Sequence, residues 1–479
     1  MSVSFFIVFG YIALMFVLGF VLNKNAKTTT ELFLGKNEIG LGLLICLLFG
    51  ETIAGASTTG TAQGGFSQGI SAMWTFVGHG LGCVVFAFLL AKFFNSAGRD
   101  GVMSVPEAFK WRFDARLRYV MVFVVIVPLS IVCSSQCRAA ASLVGPMTGI
   151  DTEILIVVFA VLFGLMSMSG LKGIAKMNVV NSIVIFFGVG IAMVFCVQSV
   201  GGMSEMLAQL PAGHDNLLYP SFGQVLAQFI SAVLAFCVAV TPANACYSTD
   251  RLKTAQIALI VTGLIAAVFS IFPTFIGMAG SIILPGADPN TILYTMPNTI
   301  SPVLSGIASM AVLSAVLSTA PFLFLSFGTV LMRDIVLPAT KKDISEKAQI
   351  RFTALIIACF TLLVIILAFN QNSLFSQFVG ANYIKGTAAV VLIVAMFWKK
   401  LTNNAAFWAL LVSDSLASFW YFSKAWTPID PFWMAVGIAL AIMVIGTYLD
   451  KNHIGKDYEA FKIKKERAMA NGRQAQNRE

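Results

Sequence analysis

Thirteen apolar runs of about twenty residues, separated by short polar loops, constrain this chain more than any other feature. They fall near residues 2–22, 40–65, 70–94, 118–145, 152–170, 177–200, 222–242, 255–282, 300–331, 352–370, 374–397, 402–422 and 430–449. A run of that length crosses the hydrocarbon layer of a bilayer as a helix. Within that layer no water satisfies a bare peptide group, so each segment must bond its own backbone internally. The expectation is an all-α integral membrane protein with thirteen transmembrane helices. Composition agrees: 58% of residues are hydrophobic and 11% charged, against about 25% charged in soluble domains. The first run has no basic residue before Lys24, so it reads as a retained helix and not a cleaved leader. Residues 1–450 read as one transmembrane domain, and 451–479 as a basic, solvated tail that is helical and then frayed.

The net charge of +9 is not spread evenly. Lys and Arg collect in alternate loops: Lys24–Lys36, Lys92–Arg118, Lys172–Lys176, Arg251–Lys253, Arg333–Arg351, Lys399–Lys400 and the tail after Lys451. Of the 31 basic residues, only Arg138 and Lys385, within runs, and Lys424 fall elsewhere. Positive loops stay in the cytoplasm. Thirteen spans then put the N-terminus outside and the tail inside, in a multi-pass plasma-membrane protein, most simply of a bacterial inner membrane. The same asymmetry accounts for the charge without nucleic acid. The eight cysteines make no CxxC pair, so no metal knuckle or disulfide framework is read. No HExxH, GxSxG or Walker A motif occurs, and no soluble segment is large enough for a nucleotide domain. An enzyme or a primary pump is not expected.

Gly50–Gly69, GETIAGASTTGTAQGGFSQG, is unlike the other apolar runs. Gly55, Gly60, Gly64 and Gly65 each weaken a helix by about 1 kcal/mol relative to Ala. Thr52, Ser57, Thr58, Thr59 and Thr61 lie between them. Two readings stand side by side. An interrupted membrane helix exposes carbonyls that hold a cation or solute in secondary transporters. A stripe of small residues also lets two helices pack closely.

Few ionisable residues lie within the runs, and each is a functional candidate because charge in the bilayer is costly. Glu51 is a candidate for proton carriage, for substrate contact, or for pairing with Arg138 or Lys385. Arg138 and Lys385 are candidates for a substrate carboxylate, which favours an anionic or zwitterionic solute. His79 reads as a packed or hydrogen-bonded histidine, or as a site residue. Ser104-Val105-Pro106-Glu107 has the form of a helix start, with Ser at the cap and Glu three residues on.

Several segments carry a resemblance. SVPEAFKWRFDARLR (Ser104–Arg118) resembles the loop after the third span in the sodium/solute symporter family. TTELFLGKNEIG (Thr29–Gly40), GLKGIAKMNVV (Gly170–Val180) and SAVLSTAPFLFLSFGTVLMRDI (Ser314–Ile335) resemble three further segments of that family, in the same order. The resemblance implies a leucine-transporter-type fold with two inverted five-helix repeats, about 40–200 and 222–397. Extra helices would lie at 2–22, 402–422 and 430–449. It also implies a Na⁺ site between the second and ninth spans: carbonyls of Ala56, Thr59 and Ala315 and hydroxyls of Ser318 and Thr319. Where the family has an Asp entering the sixth span, this chain has Asn178, which puts the ion in question. The function implied is symport of a small organic solute with Na⁺, the alternatives being proton coupling through Glu51 or a solute-binding membrane sensor. Na⁺, the solute and the bilayer are the expected partners, and no oligomer is required.

Overall fold

The structure is a computed structural model that describes residues 3–22, 28–35, 39–340, 344–369, 374–423 and 429–476. Lys24, Lys27, Lys36, Lys341, Lys342 and Lys424 of the charge pattern lie outside them, as does the end of the tail.

The described residues form helices and no strand. The first block runs α1 (Val3–Leu22), α2 (Thr29–Leu34), α3 (Leu41–Thr52), α4 (Gly55–Gln68), α5 (Trp74–Leu89), α6 (Ala91–Arg99), α7 (Val105–Arg112), α8 (Ala115–Thr148), α9 (Thr152–Ser167) and α10 (Gly170–Ser199). The second runs α11 (Met203–Gln209), α12 (Phe222–Cys237), α13 (Val240–Tyr247), α14 (Leu252–Phe269), α15 (Ile271–Ile283), α16 (Ile292–Ile300), α17 (Pro302–Leu331), α18 (Leu337–Ala339), α19 (Glu346–Ala368) and α20 (Leu374–Phe397). The third is α21 (Asn403–Ser423), α22 (Pro431–Leu449) and α23 (Lys456–Gln476).

Among the described residues each apolar run falls on helix, and nine helical stretches are long and apolar enough to cross a membrane. One of the nine, Ser57–Leu89, is two helices in sequence. Gly69 breaks it with φ 73°, a left-handed conformation that glycine adopts without strain, and a Cβ there would strike the His214 backbone.

The stretch from α17 to α18 is the axis of the molecule, with 94% of its most apolar window buried. It packs against α1, α8, α9, α10 and α19, while α4 lies against α15, α17 and α20. The small-residue reading of Gly55–Gly69 therefore holds for α4. A Cβ on Gly55 would run into the Val316 side chain and lie 3.0 Å from Val312 O. A Cβ on Gly65 would collide with Thr274 O.

The loop at 95–119 folds as its sequence indicates. Ser104 Oγ caps α7 by accepting from Glu107 N (3.1 Å), and the Glu107 carboxylate accepts from Met103 N (2.8 Å). A buried ion network ties this cap to the end of the axial helix. Arg118 Nε lies 2.6 Å from Asp334 Oδ1, Ser104 Oγ donates to Asp334 Oδ2 (2.6 Å), and Arg333 bridges to Glu107 (3.0 Å).

The described tail is helical and mostly exposed, with a docking point on the membrane domain. Phe461 of α23 is buried edge-on against Trp111 at 5.2 Å. Its ring also lies 4.9 Å from the guanidinium of Arg112, which donates to Ala395 O (2.8 Å). Burial pushes Arg112 down to about 10, so it stays charged at neutral pH.

Candidate ion and solute site

Two helix interruptions face one cavity. The first is Ile53–Ala54, between α3 and α4. Glycines flank it at 50 and 55, and both weaken the helix there. Ile53 (φ −100°, ψ 69°) ends α3, and extended Ala54 (ψ 147°) begins α4. The second is Val238–Ala239, between α12 and α13. Its cause is Pro242, which has no N–H to give Val238 O and whose ring would clash with that carbonyl in a continuous helix. The apolar run at 222–242 gave no expectation of this break, although Pro242 was its signal.

Interrupting α3 frees the Gly50 carbonyl from its helical partner. Two hydroxyls of α17 take it up: Ser318 Oγ donates to Gly50 O at 2.7 Å and Thr319 Oγ1 at 2.8 Å. Each hydroxyl also lies 2.9 Å from Ala315 O. Two hydroxyl and two carbonyl oxygens thus form one compact buried cluster. Such a set suits a hard cation that prefers neutral oxygen ligands and needs several of them.

Ala315, Ser318 and Thr319 therefore come together as the resemblance implied. Ala56 and Thr59 do not join them. Both belong to the regular helix α4, where Thr59 Oγ1 donates to Gly55 O (2.9 Å). The break at Ile53–Ala54 lies N-terminal to Ala56 and Thr59, so the carbonyl offered to the hydroxyl pair is Gly50 O. The glycine-rich helix itself is spent on packing.

Asn178 stands beside this cluster. Its Nδ2 donates to Ser318 O (3.3 Å), and a Cβ on Gly50 would lie 2.8 Å from the same nitrogen. Asn181 Nδ2 donates to Asn178 Oδ1 (3.3 Å), and the Tyr11 hydroxyl donates to Asn181 Oδ1. The chain of donors runs one way, from α1 through α10 to α17. An aspartate at 178 has no N–H for Ser318 O, so the amide is built into this network.

Beside the cluster is a cavity of about 100 Å³. Glu51, Thr52, Ser57, His79, Ser135, Thr241, Thr319, Asn382 and Lys385 supply its polar lining, and Phe236 and Phe378 part of its apolar wall. His79 Nε2 lies 3.1 Å from Asn382 Oδ1, with Phe378 edge-on to its ring at 5.0 Å. Ser57 Oγ turns back to Ala54 O (2.9 Å). Thr241, Asn382 and Phe378 were not singled out from sequence, where nothing distinguishes them from other polar or aromatic residues in apolar runs.

Two candidates lie elsewhere. Arg138 does not line the cavity, and the acidic group acting on it is Asp288, in the loop after α15. Thr58 is buried in α4 and does not line the cavity either.

A family model for the sodium:solute symporter family matches residues 32–413. The chain belongs to that family, whose members are membrane-embedded, sodium-coupled transporters. It is 20% identical to the high-affinity proline transporter of Bacillus subtilis (strain 168) over 434 residues, covering 85% of this chain and 89% of the relative. It is 21% identical to the sodium/proline symporter of Escherichia coli (strain K12) over 434 residues, with 86% of each chain covered. The sodium/pantothenate symporter of Haemophilus influenzae is 20% identical over 432 residues, 84% of this chain and 87% of the relative. In fold, the chain is similar to a Na⁺-coupled sialic acid symporter solved in a substrate-bound outward-open state. The TM-score is 0.77 at 17% identity, over 93% of this chain and 98% of that one.

Proposed function

We propose that the protein imports a small organic solute together with Na⁺ by alternating access. Na⁺ would be held by Gly50 O, Ala315 O, Ser318 Oγ and Thr319 Oγ1, and the solute by the adjoining cavity. One observation carries this reading: Thr319 belongs both to the oxygen cluster and to the cavity wall. An ion on the cluster fixes the end of α3 against α17 and so shapes the wall that the solute meets. Each inward ion gains about 2.3 kcal/mol per 100 mV, enough to raise a neutral solute roughly fiftyfold.

The architecture supports the same reading. Interrupted helices near the start of each large block, both opening on one cavity, are the pattern of inverted repeats in secondary transporters. We take the repeats as about 40–200 and 222–397, within thirteen membrane crossings. The basic loops then put the N-terminus outside and the tail in the cytoplasm.

The test uses purified protein. NaCl should raise its melting temperature in a saturable way, and KCl at equal ionic strength should not. In proteoliposomes a Na⁺ gradient should drive uptake above equilibrium. Uptake driven by a pH gradient and indifferent to Na⁺ would replace Na⁺ by a proton. Solute binding without accumulation would make the protein a sensor.

A further inference from the structure

An acidic and a basic side chain share the central cavity and do not meet. Glu51 is 6% exposed, and neither of its carboxylate oxygens has a hydrogen-bond partner. Lys385 lines the same cavity, and among the described residues no ion pair reaches it. A buried charge without a partner is costly on either side.

The surroundings give each charge a pole of its own. Glu51 is the next-to-last residue of α3, whose C-terminal end carries partial negative charge. Thr241 is the polar side chain facing it. Asn382 precedes Lys385 by one helical turn on the cavity face of α20, and its amide Nδ2 is buried without a partner. The helices α4 and α13 both begin at the cavity with alanine at the cap, Ala54 and Ala239. Neither supplies a side-chain acceptor to the first N–H groups. Those ends carry partial positive charge and offer donors.

A second Na⁺ on Glu51, or a proton, would leave Lys385 uncompensated. A sugar would leave both. A solute that carries a protonated amine at one end and a carboxylate at the other satisfies both at once. We propose that Glu51 and Lys385 are the two specificity-determining poles of the solute site. Glu51 receives the ammonium, Lys385 with Asn382 receives the carboxylate, and the solute is a zwitterion. This deepens the transport reading and rests on it for the site.

The test is binding to the full-length protein in lipid nanodiscs with NaCl present. The probes are the twenty L-amino acids, 4-aminobutyrate, glucose, lactate and choline, read by thermal shift and then calorimetry. The tightest binder should carry both charges. Its deaminated acid and its primary amide should each bind about 100-fold more weakly, as expected when a hydrogen bond to a buried charged group is lost. Glu51→Gln should abolish discrimination against the deaminated acid, and Glu51→Asp should retain part of it. Lys385→Met should abolish discrimination against the amide. The Na⁺-dependent melting shift, which uses neither side chain, certifies that each variant is folded. Tightest binding of glucose, lactate or choline would overturn the assignment, as would Glu51→Gln with discrimination intact. Zwitterion binding without any Na⁺ effect in the wild type would keep the poles and defeat the sodium reading. A Na⁺ effect with no zwitterion bound would do the reverse.

Discussion

Replacing the hydroxyl pair tests the oxygen cluster most directly. Ser318 and Thr319 are buried, and each lies within 2.9 Å of both Gly50 O and Ala315 O. Ser318→Ala removes one oxygen and one donor while leaving the other hydroxyl on both carbonyls. A neutral hydrogen-bonding group of this kind contributes about 0.5–1.5 kcal/mol net. The half-saturating NaCl concentration should therefore rise about three- to tenfold in Ser318→Ala or Thr319→Val, since 1.4 kcal/mol is a factor of ten. The double variant removes two oxygens and leaves Gly50 O without either hydroxyl. If the losses add, half-saturation rises roughly 10- to 100-fold, and neighbours in one cluster make the upper end more apt. Valine preserves the branched shape of Thr319, so packing on α3 is kept. The readout is the melting temperature of the purified protein titrated with NaCl against KCl. Half-saturation within threefold of wild type in the double variant would refute the cluster as the ion site.

Other perturbations probe the surroundings. Asn178→Asp exchanges the donor on Ser318 O for a negative charge beside the cluster. It should tighten Na⁺ about tenfold in the same titration, and unchanged or weaker Na⁺ would contradict the placement. Asp334→Ala strips the buried Arg118 guanidinium of the nearer of its two carboxylates, leaving Glu107 at 3.3 Å, and should cost about 1.5–3 kcal/mol, while Arg118→Met with Asp334→Leu should recover most of it. A melting temperature equal to wild type in Asp334→Ala would show the network to be ornamental. Phe461→Ala removes the ring that docks the tail on Trp111, a loss of about 2–3 kcal/mol. Trypsin should then cut at the tail lysines roughly 30- to 160-fold faster, and an unchanged rate would mean that α23 is held some other way.

The parts of the fold legible in the sequence were those fixed by one-dimensional periodicity or local chemistry. Apolar run length gave the helices, and the Ser104 cap was readable because its donor and acceptor are three residues apart. The break in α3 was legible in kind and misplaced in position. Glycine marks both weak helix and close packing, and only the third dimension separates Gly55, pressed on Val316, from Gly50, whose carbonyl meets α17. The resemblance carried Ala315, Ser318 and Thr319 correctly into one cluster because they lie on one helix. It failed for Ala56 and Thr59 because a few residues of register along a glycine-rich segment leave little trace in side chains. Arg138 and Lys385 looked equivalent, each a cation in an apolar run. Their separation follows from where α8 and α20 place them, and no sequence pattern encodes that.

The position of the break also explains how ion and solute can be linked without touching. Gly50 and Glu51 are neighbours in the last turn of α3, and their groups are divided between two sites: Gly50 O on the hydroxyl pair, Glu51 in the cavity. A cation drawn to the cluster must organise the last turn of α3, because that turn supplies one of its oxygens. The Glu51 carboxylate is then carried to a fixed place in the cavity wall. A ligand shifts an equilibrium only by its differential affinity for the two states. If the proposed sites hold, the differential lies in whether that turn is fixed, so solute affinity should rise with Na⁺ and, by reciprocity, Na⁺ affinity with solute, by one and the same factor. Titrating each against a saturating concentration of the other measures both factors, and unequal values would mean that the cluster and the cavity are not the two sites in equilibrium.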